Sequence, residues 1–357
     1  MRRWRAKLRR AILRLRLFLA ILGPGIITAN VDNDAGGITT YSQAGARYGL
    51  ATLWIFAPLC LGLIVVQEMS NRMGVVSGKG LSDLIRERFG VRITFWLMLL
   101  LLATNFGNIL AEFAGVAAAG EIFGAPRWLS VPLAALFVWG IVLRATYRTV
   151  EKVFLAACLF YVSYIIAGLL RPPEGGEIAR ALAFPRLEPD SGYLIMLIAL
   201  VGTTIAPWMQ FYQQAAVAEK NVRIEDYALS RLDTLIGCAS VTIVAVFIVT
   251  VCATNLHAHG VRIESAADAA RSLAPLAGPY ASWLFAFGLL NASVFAASIL
   301  PLSTSYTICE AFGWESGVDK GYAEARQFYV LYTALIVLGA GMILLPGVSL
   351  LGIMYAS

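Results

Sequence analysis

The chain has 357 residues, of which 59% are hydrophobic and 14% charged, with a mean hydropathy of +0.73 and a formal net charge of +6. A soluble domain carries roughly 25% charged residues and at most about half apolar ones, and a single soluble core of this length could not bury so much apolar surface. The composition excludes a soluble enzyme, a disordered chain and a secreted disulfide scaffold, and leaves an all-α polytopic membrane protein.

In chain order, residues 1–16 hold eight Lys and Arg and no acid. No small-residue cleavage site follows, so the segment reads as a cytoplasmic basic stretch lying on anionic lipid rather than a signal peptide. Apolar runs able to cross the roughly 30 Å hydrocarbon core fall at 17–47 (interrupted), 51–69, 93–123, 128–143, 153–170, 193–217 (interrupted), 232–253, 280–309 and 329–345. A tenth run opens at Val348 and is still apolar at Ser357, so the sequence is expected to end inside a helix. With alternating spans, 21 of the 28 Lys and Arg residues fall on the side of the N-terminus. That bias predicts nine complete spans and a cytoplasmic N-terminus; the protein is expected in the plasma (inner) membrane. The same distribution removes the case for nucleic acid as a partner. The five cysteines (Cys60, Cys158, Cys238, Cys252, Cys309) lie in apolar runs without CxxC spacing and read as small core residues.

Two spans are interrupted in corresponding places. Span one carries Ala29-Asn30-Val31-Asp32-Asn33-Asp34-Ala35-Gly36-Gly37 at mid-membrane depth, where helix propensity is poor and each carboxylate is costly to desolvate. Span six carries Gly202-Thr203-Thr204-Ile205-Ala206-Pro207-Trp208; Pro207 lacks a backbone donor and clashes with the preceding turn. An ordinary kink would account for span six, but a kink does not call for the carboxylates of span one. Non-helical backbone at this depth persists only where it lines a cavity or is covered by protein. Spans one and six lie five apart and run in opposite directions. This is the LeuT-like layout of five-plus-five inverted repeats with a midplane site between two broken helices. It predicts a basic segment at 1–16, a first repeat at 17–170, an extracellular loop at 171–192 and a second repeat at 193–357. Asp34 is the strongest candidate ligand. Asp32 reads as a helix cap or a charge in the outer vestibule. Asn105, Asn108 and Glu112 recur at helical spacing and form one polar stripe on span three, either facing the pathway or bonding between helices. The backbone carbonyl of Thr203 is a candidate ligand. Gln210, Gln213 and Gln214 line the inner exit or serve as polar packing. Asp233 reads as an ion pair with Arg231, Glu68 and Glu121 as solvated, and His257 and His259 as part of a flexible external loop.

Several stretches resemble the NRAMP (natural resistance-associated macrophage protein) divalent-metal transporters. Gly23-Pro24-Gly25-Ile26-Ile27, Asp34-Ala35-Gly36-Gly37 and Gln43-Ala44-Gly45-Ala46-Arg47-Tyr48-Gly49 are similar to that family's first helix, where the break reads Asp-Pro-Gly-Asn. Gly74–Phe89 resembles its loop after helix two, and Ala206-Pro207-Trp208-Met209 stands at its Met-Pro-His-Asn. The resemblance implies a metal-binding Asp34, with Gly37 in place of an Asn ligand, Ala206 in place of a thioether Met, and Trp208 in place of a His. On helix three, Ile109-Leu110-Ala111-Glu112 keeps one of two acids of the family's proton route. A thioether favours softer ions, and its loss removes that filter. Mg²⁺ demands oxygen, retains several waters and takes one or two carboxylates. The departures are therefore similar to the magnesium branch of the family and imply partly hydrated Mg²⁺, with Mn²⁺ as a further cargo, held by Asp34, Glu112 and backbone carbonyls in a site widened at Gly37 and Ala206. No span carries a His, which speaks against proton coupling. The alternatives are proton-coupled Mn²⁺/Fe²⁺ transport, an amino-acid or Na⁺-coupled carrier on the same architecture, and a receptor or scaffold. The cation is expected as cargo, with no cofactor, no enzymatic activity and the lipid bilayer as surroundings.

Overall fold

The computed structural model describes residues 23–144, 176–263, 281–347 and 349–356, with isolated positions between them. The basic segment 1–16, Cys158 and nearly all of the span expected at 153–170 lie outside the described residues. Span one is two helices, α1 (Pro24–Val31) and α2 (Ala35–Tyr48). Span two is α3 (Phe56–Ser77), span three α4 (Leu81–Ile122) and span four α5 (Arg127–Arg144). A surface helix, α6 (Glu177–Ala183), precedes span six, which is again two helices, α7 (Ser191–Thr204) and α8 (Pro207–Glu219). Spans seven to nine are α9 (Tyr227–Asn255), α10 (Ala281–Phe312) and α11 (Arg326–Ile343), and α12 (Leu350–Ala356) follows in the tenth run. Among the described residues, six stretches are long and apolar enough to cross a membrane, and Arg127–Leu143 is a shorter apolar helix.

At 42 residues α4 is far longer than a bilayer requires. Gly90 (φ 79°, ψ 170°) divides it. The turns before Gly90 are amphipathic and held by Arg86, which reaches Asp83 at 3.0 Å and the main-chain oxygen of Ala311 at 3.2 Å. The expected span 93–123 is the part beyond Gly90.

Helix contacts repeat in reciprocal pairs. Both halves of span one pack on α9, and both halves of span six pack on α3. Likewise α1 meets α8 while α7 meets α2, and α4 meets α5 and α11 while α10 meets α11 and α5. Further interfaces join α3 to α9, α4 to α10 and α5 to α11, each span to its equivalent five places on, while α4 also packs on α12 and α8 on α10. An axis exchanging span n with span n+5 demands this pattern, so the fold is the inverted repeat with broken spans one and six.

Polarity is arranged as lipid requires. Leu61, Val65, Trp96, Leu100, Leu136 and Ile198 are exposed on the outer faces, whereas Asp32, Asn33, Glu112, Gln67, Asn71 and Gln214 are at most 2% exposed inside. Apolar residues outside and polar ones within reverse the soluble arrangement. The four described cysteines are free thiols, three of them buried.

Candidate functional site

The first break is three residues long. Asp32 ends α1 as its C-cap. Asp34, in extended conformation, caps α2: its Oδ1 accepts from the Gly37 N–H at 2.7 Å. An N-cap carboxylate supplies a partner for a helix-start N–H and sits at the positive end of the dipole. Asp34 remains partly exposed, while Asp32 and Asn33 are buried. Asp32 is therefore a cap within the protein rather than a charge in an outer vestibule.

Glu112 comes to the break from α4 and is fully buried. Its Oε2 accepts from the Ala35 N–H at 3.3 Å, and its carboxyl touches that of Asp34. Two carboxyl groups in contact repel as anions and are stabilised by a proton or a cation between them. Glu112 Oε1 has no hydrogen-bond partner among the described residues, and such an orphaned oxygen is costly unless a ligand or water meets it.

The second break is shorter. The last bond of α7 runs from Ile205 N to Val201 O at 3.0 Å, so the carbonyls of residues 202–205 lie past the helix ladder. Ile205 (φ −125°, ψ 65°) turns the chain, Ala206 is the N-cap of α8, and Pro207 takes its first position. Proline is favoured there because that N–H has no helical partner in any case. Pro207 thus starts a half-helix rather than kinking a continuous one.

A hydroxyl chain joins the two breaks. Tyr41 Oη lies 3.1 Å from Thr204 Oγ1 and donates to Asp32 Oδ2 at 3.5 Å. Thr204 is 1% exposed and Thr203 half-buried, so the side chain that links the breaks is Thr204, with the Thr203 carbonyl beside it. Neither Tyr41 nor Thr204 stands out in the sequence, because a single Tyr or Thr within a span is common. Tyr41→Phe leaves Asp32 and Thr204 short of a partner. It is expected to destabilise the protein by about 1–3 kcal/mol, read as a lower melting temperature in detergent.

The other candidates divide. Gly37 does not widen the site as expected from its place in the family pattern. A Cβ there would overlap the main-chain oxygen of Asp32, which occupies the space. Ala206 is 7% exposed and Trp208 is 1% exposed, its ring 6.4 Å from that of Tyr212. Asn105 is taken up between helices, its Nδ2 donating to Thr304 Oγ1 at 2.9 Å, while Asn108 is half-buried. The Gln210 amide, in the orientation that satisfies its atoms, donates to the oxygens of Ala206 and Pro207 at 3.0 and 2.7 Å and so covers the break from within α8. Gln213 donates to Thr234 at 3.2 Å and Gln214 to the main-chain oxygen of Lys79 at 2.9 Å, both as packing bonds. Asp233 does not serve as an ion pair with Arg231: its carboxylate accepts from Gly23 N at 3.2 Å and Gly25 N at 2.7 Å, capping α1 across the fold. Glu68 is not simply solvated either; it bonds Tyr227 and lies 3.8 Å from Arg72. Glu121 is exposed. The His257–His259 segment is a 3-10 turn, with His257 Nδ1 3.1 Å from the Ala46 oxygen at the end of α2. Among the described residues no group of three or more His, Cys, Asp or Glu could chelate a metal ion. The site offers one carboxyl pair and main-chain oxygens.

Two half-helix pairs meeting at a pair of carboxyls, inside an inverted-repeat bundle with apolar outer faces, define the class of broken-helix integral membrane transporters. Residues 25–357 match the family described as "Natural resistance-associated macrophage protein-like", and the chain belongs to that family of divalent metal transporters. It is 29% identical over 304 residues to the "Divalent metal cation transporter MntH" of Deinococcus radiodurans, covering 80% of this chain and 67% of that protein. The protein of the same description from Chromohalobacter salexigens is 28% identical over 313 residues, covering 82% and 70%. Among solved structures, the manganese transporter of Eremococcus coleocola in complex with an aromatic bis-isothiourea substituted compound superposes with a TM-score of 0.76 at 21% identity, covering 95% of this chain and 75% of that one. At that identity the likeness concerns the fold.

Proposed function

We propose that the chain mediates uptake of partly hydrated Mg²⁺, with Mn²⁺ as a second cargo, by alternating access around Asp34. The observation that carries this reading is the donor set. Among the described residues, Asp34 and Glu112 are the carboxyls that meet at the break, with main-chain oxygens beside them and Asp32 capping α1 nearby, and span six presents Ala206 where the family pattern has a thioether. Hard oxygen donors with at most two carboxylates suit an ion that keeps much of its water. A thioether does reach α2 from α12, but Met354 Sδ there accepts from Thr39 Oγ1 at 3.9 Å. In this reading 17–170 and 193–357 are the two repeats, 171–192 is an extracellular loop and the N-terminus faces the cytoplasm of a plasma-membrane protein. Two charges moving inward gain about 4.6 kcal/mol per 100 mV, a sufficient drive without proton coupling.

One observation favours a second reading, proton-coupled Mn²⁺ transport. The Asp34–Glu112 contact is a place where a proton and a cation compete, and the relatives named above are described as manganese or divalent metal transporters. Ion-competition uptake in proteoliposomes at two external pH values separates the readings. Saturable Mg²⁺ uptake, blocked by Mn²⁺ and without interior acidification, is expected. Mn²⁺ uptake indifferent to excess Mg²⁺ and accompanied by acidification overturns the Mg²⁺ reading.

Ala206→Met is expected to strengthen Cd²⁺ competition by roughly tenfold, the order of one added soft ligand, while Mg²⁺ uptake persists. A variant blind to Mg²⁺ would show that the sulfur alone sets selectivity.

A further inference from the structure

The cytoplasmic half of span one is clamped to span seven along one strip. At its lower end α1 has no capping side chain of its own, since Gly23 is the N-cap and Pro24 has no N–H. The cap comes from Asp233 of α9, which accepts from Gly23 and Gly25 and is 1% exposed. One helical turn along α9, the backbones touch. A Cβ on Gly25 would stand 2.5 Å from Thr234 Cα, and one on Gly237 2.8 Å from the carbonyl carbon of Gly25. Near the break, Asn30 Nδ2 donates to Ser240 Oγ at 3.0 Å. Asp233, Gly237 and Ser240 recur at spacings of four and three, so one face of α9 holds α1 from its first turn to its last.

We propose that Asp233 is a positioning residue for transport, the latch that keeps α1 closed over the cytoplasmic route and that must release for the ion to leave. The inference rests on the transport reading above and its cytoplasmic N-terminus. Alternating access moves one bundle against another around a fixed site, and hinges are the few residues able to absorb a large backbone change. The unwound segment 32–34 is such a hinge, and α1 is the element between it and the cytoplasm. Separation strands a buried carboxylate and two helix-start N–H groups together, so both ends of the latch are satisfied only when α1 is docked or when water floods the seam. The latch thereby makes opening all-or-none.

Cys238 is a native reporter. It is fully buried on α9 beside Gly237. The test is the rate at which a membrane-impermeant thiol reagent, applied from the cytoplasmic side, modifies Cys238 in the full chain in proteoliposomes, read by peptide mass spectrometry. Asp233→Asn keeps the volume and one acceptor but loses the charge, and is expected to raise the rate on the order of tenfold, the shift that loss of one charge-assisted hydrogen bond supplies. Ser240→Ala, a milder lesion, is expected to raise it less and serves if the first variant fails to fold. Cys238 modification equal to wild type in both variants, or in Ser240→Ala alone where Asp233→Asn is not recovered, overturns the latch. Adding Mg²⁺ or Mn²⁺ keeps the two readings apart. If Cys238 responds to the substitutions but to neither ion, the latch stands and the assignment of Mg²⁺ and Mn²⁺ as cargo fails.

Discussion

Asp34→Ala is expected to reduce divalent-cation uptake to background, and Asp34→Asn to do the same with its fold intact. The pair separates two roles that one carboxylate fills. As the N-cap of α2, Asp34 accepts from Gly37 N. Asn caps about as well as Asp, whereas Ala costs about 1 kcal/mol. Asp34→Asn therefore retains the cap and its melting temperature, and loses only the charge that a dication requires. Asp34→Ala loses both. Wild-type uptake by Asp34→Asn would make Asp34 a cap and nothing more, and would shift the ion to Glu112 or to the break carbonyls.

Gly37→Asn, which restores the family's side chain, is expected to cripple uptake at least tenfold rather than to create a further ligand. The Cβ has no room, because the Asp32 oxygen lies against the Gly37 backbone. Forcing atoms into a packed site costs about 1–3 kcal/mol. Here the strain falls on the residues that aim Asp34. Gly37→Ala carries the same lesion without the amide and is expected to lose melting temperature and uptake alike. Normal uptake and stability in Gly37→Ala would mean that the Asp32 backbone yields easily and that size at this position decides nothing.

The elements legible in the sequence were those with local causes. Asp32-Asn33-Asp34 in an apolar run and Pro207 after Gly202-Thr203-Thr204 locate both breaks, because helix-breaking residues and membrane carboxylates act where they stand. The inverted repeat followed from the five-span interval. What stayed illegible depends on chain segments far apart. Asp233 meets Gly25 across 208 positions, Thr204 meets Tyr41 across 163, and Glu112 meets Ala35 across 77. An Asp near an Arg reads as a surface pair until the fold brings a helix start to it. Gly37 taught the opposite lesson: a missing side chain suggests space, yet main chain filled it. Asn105 shows why a polar stripe is ambiguous, since bonding to a neighbouring helix and lining a pathway use the same spacing.

The most direct measurement is anomalous diffraction from crystals of the protein grown with Mn²⁺. The account predicts one strong peak between the two breaks, within coordination distance of an Asp34 carboxylate oxygen and of main-chain oxygens in residues 202–205. A peak elsewhere with none beside Asp34, or Asp34 in a continuous helix sealed from water, would contradict it.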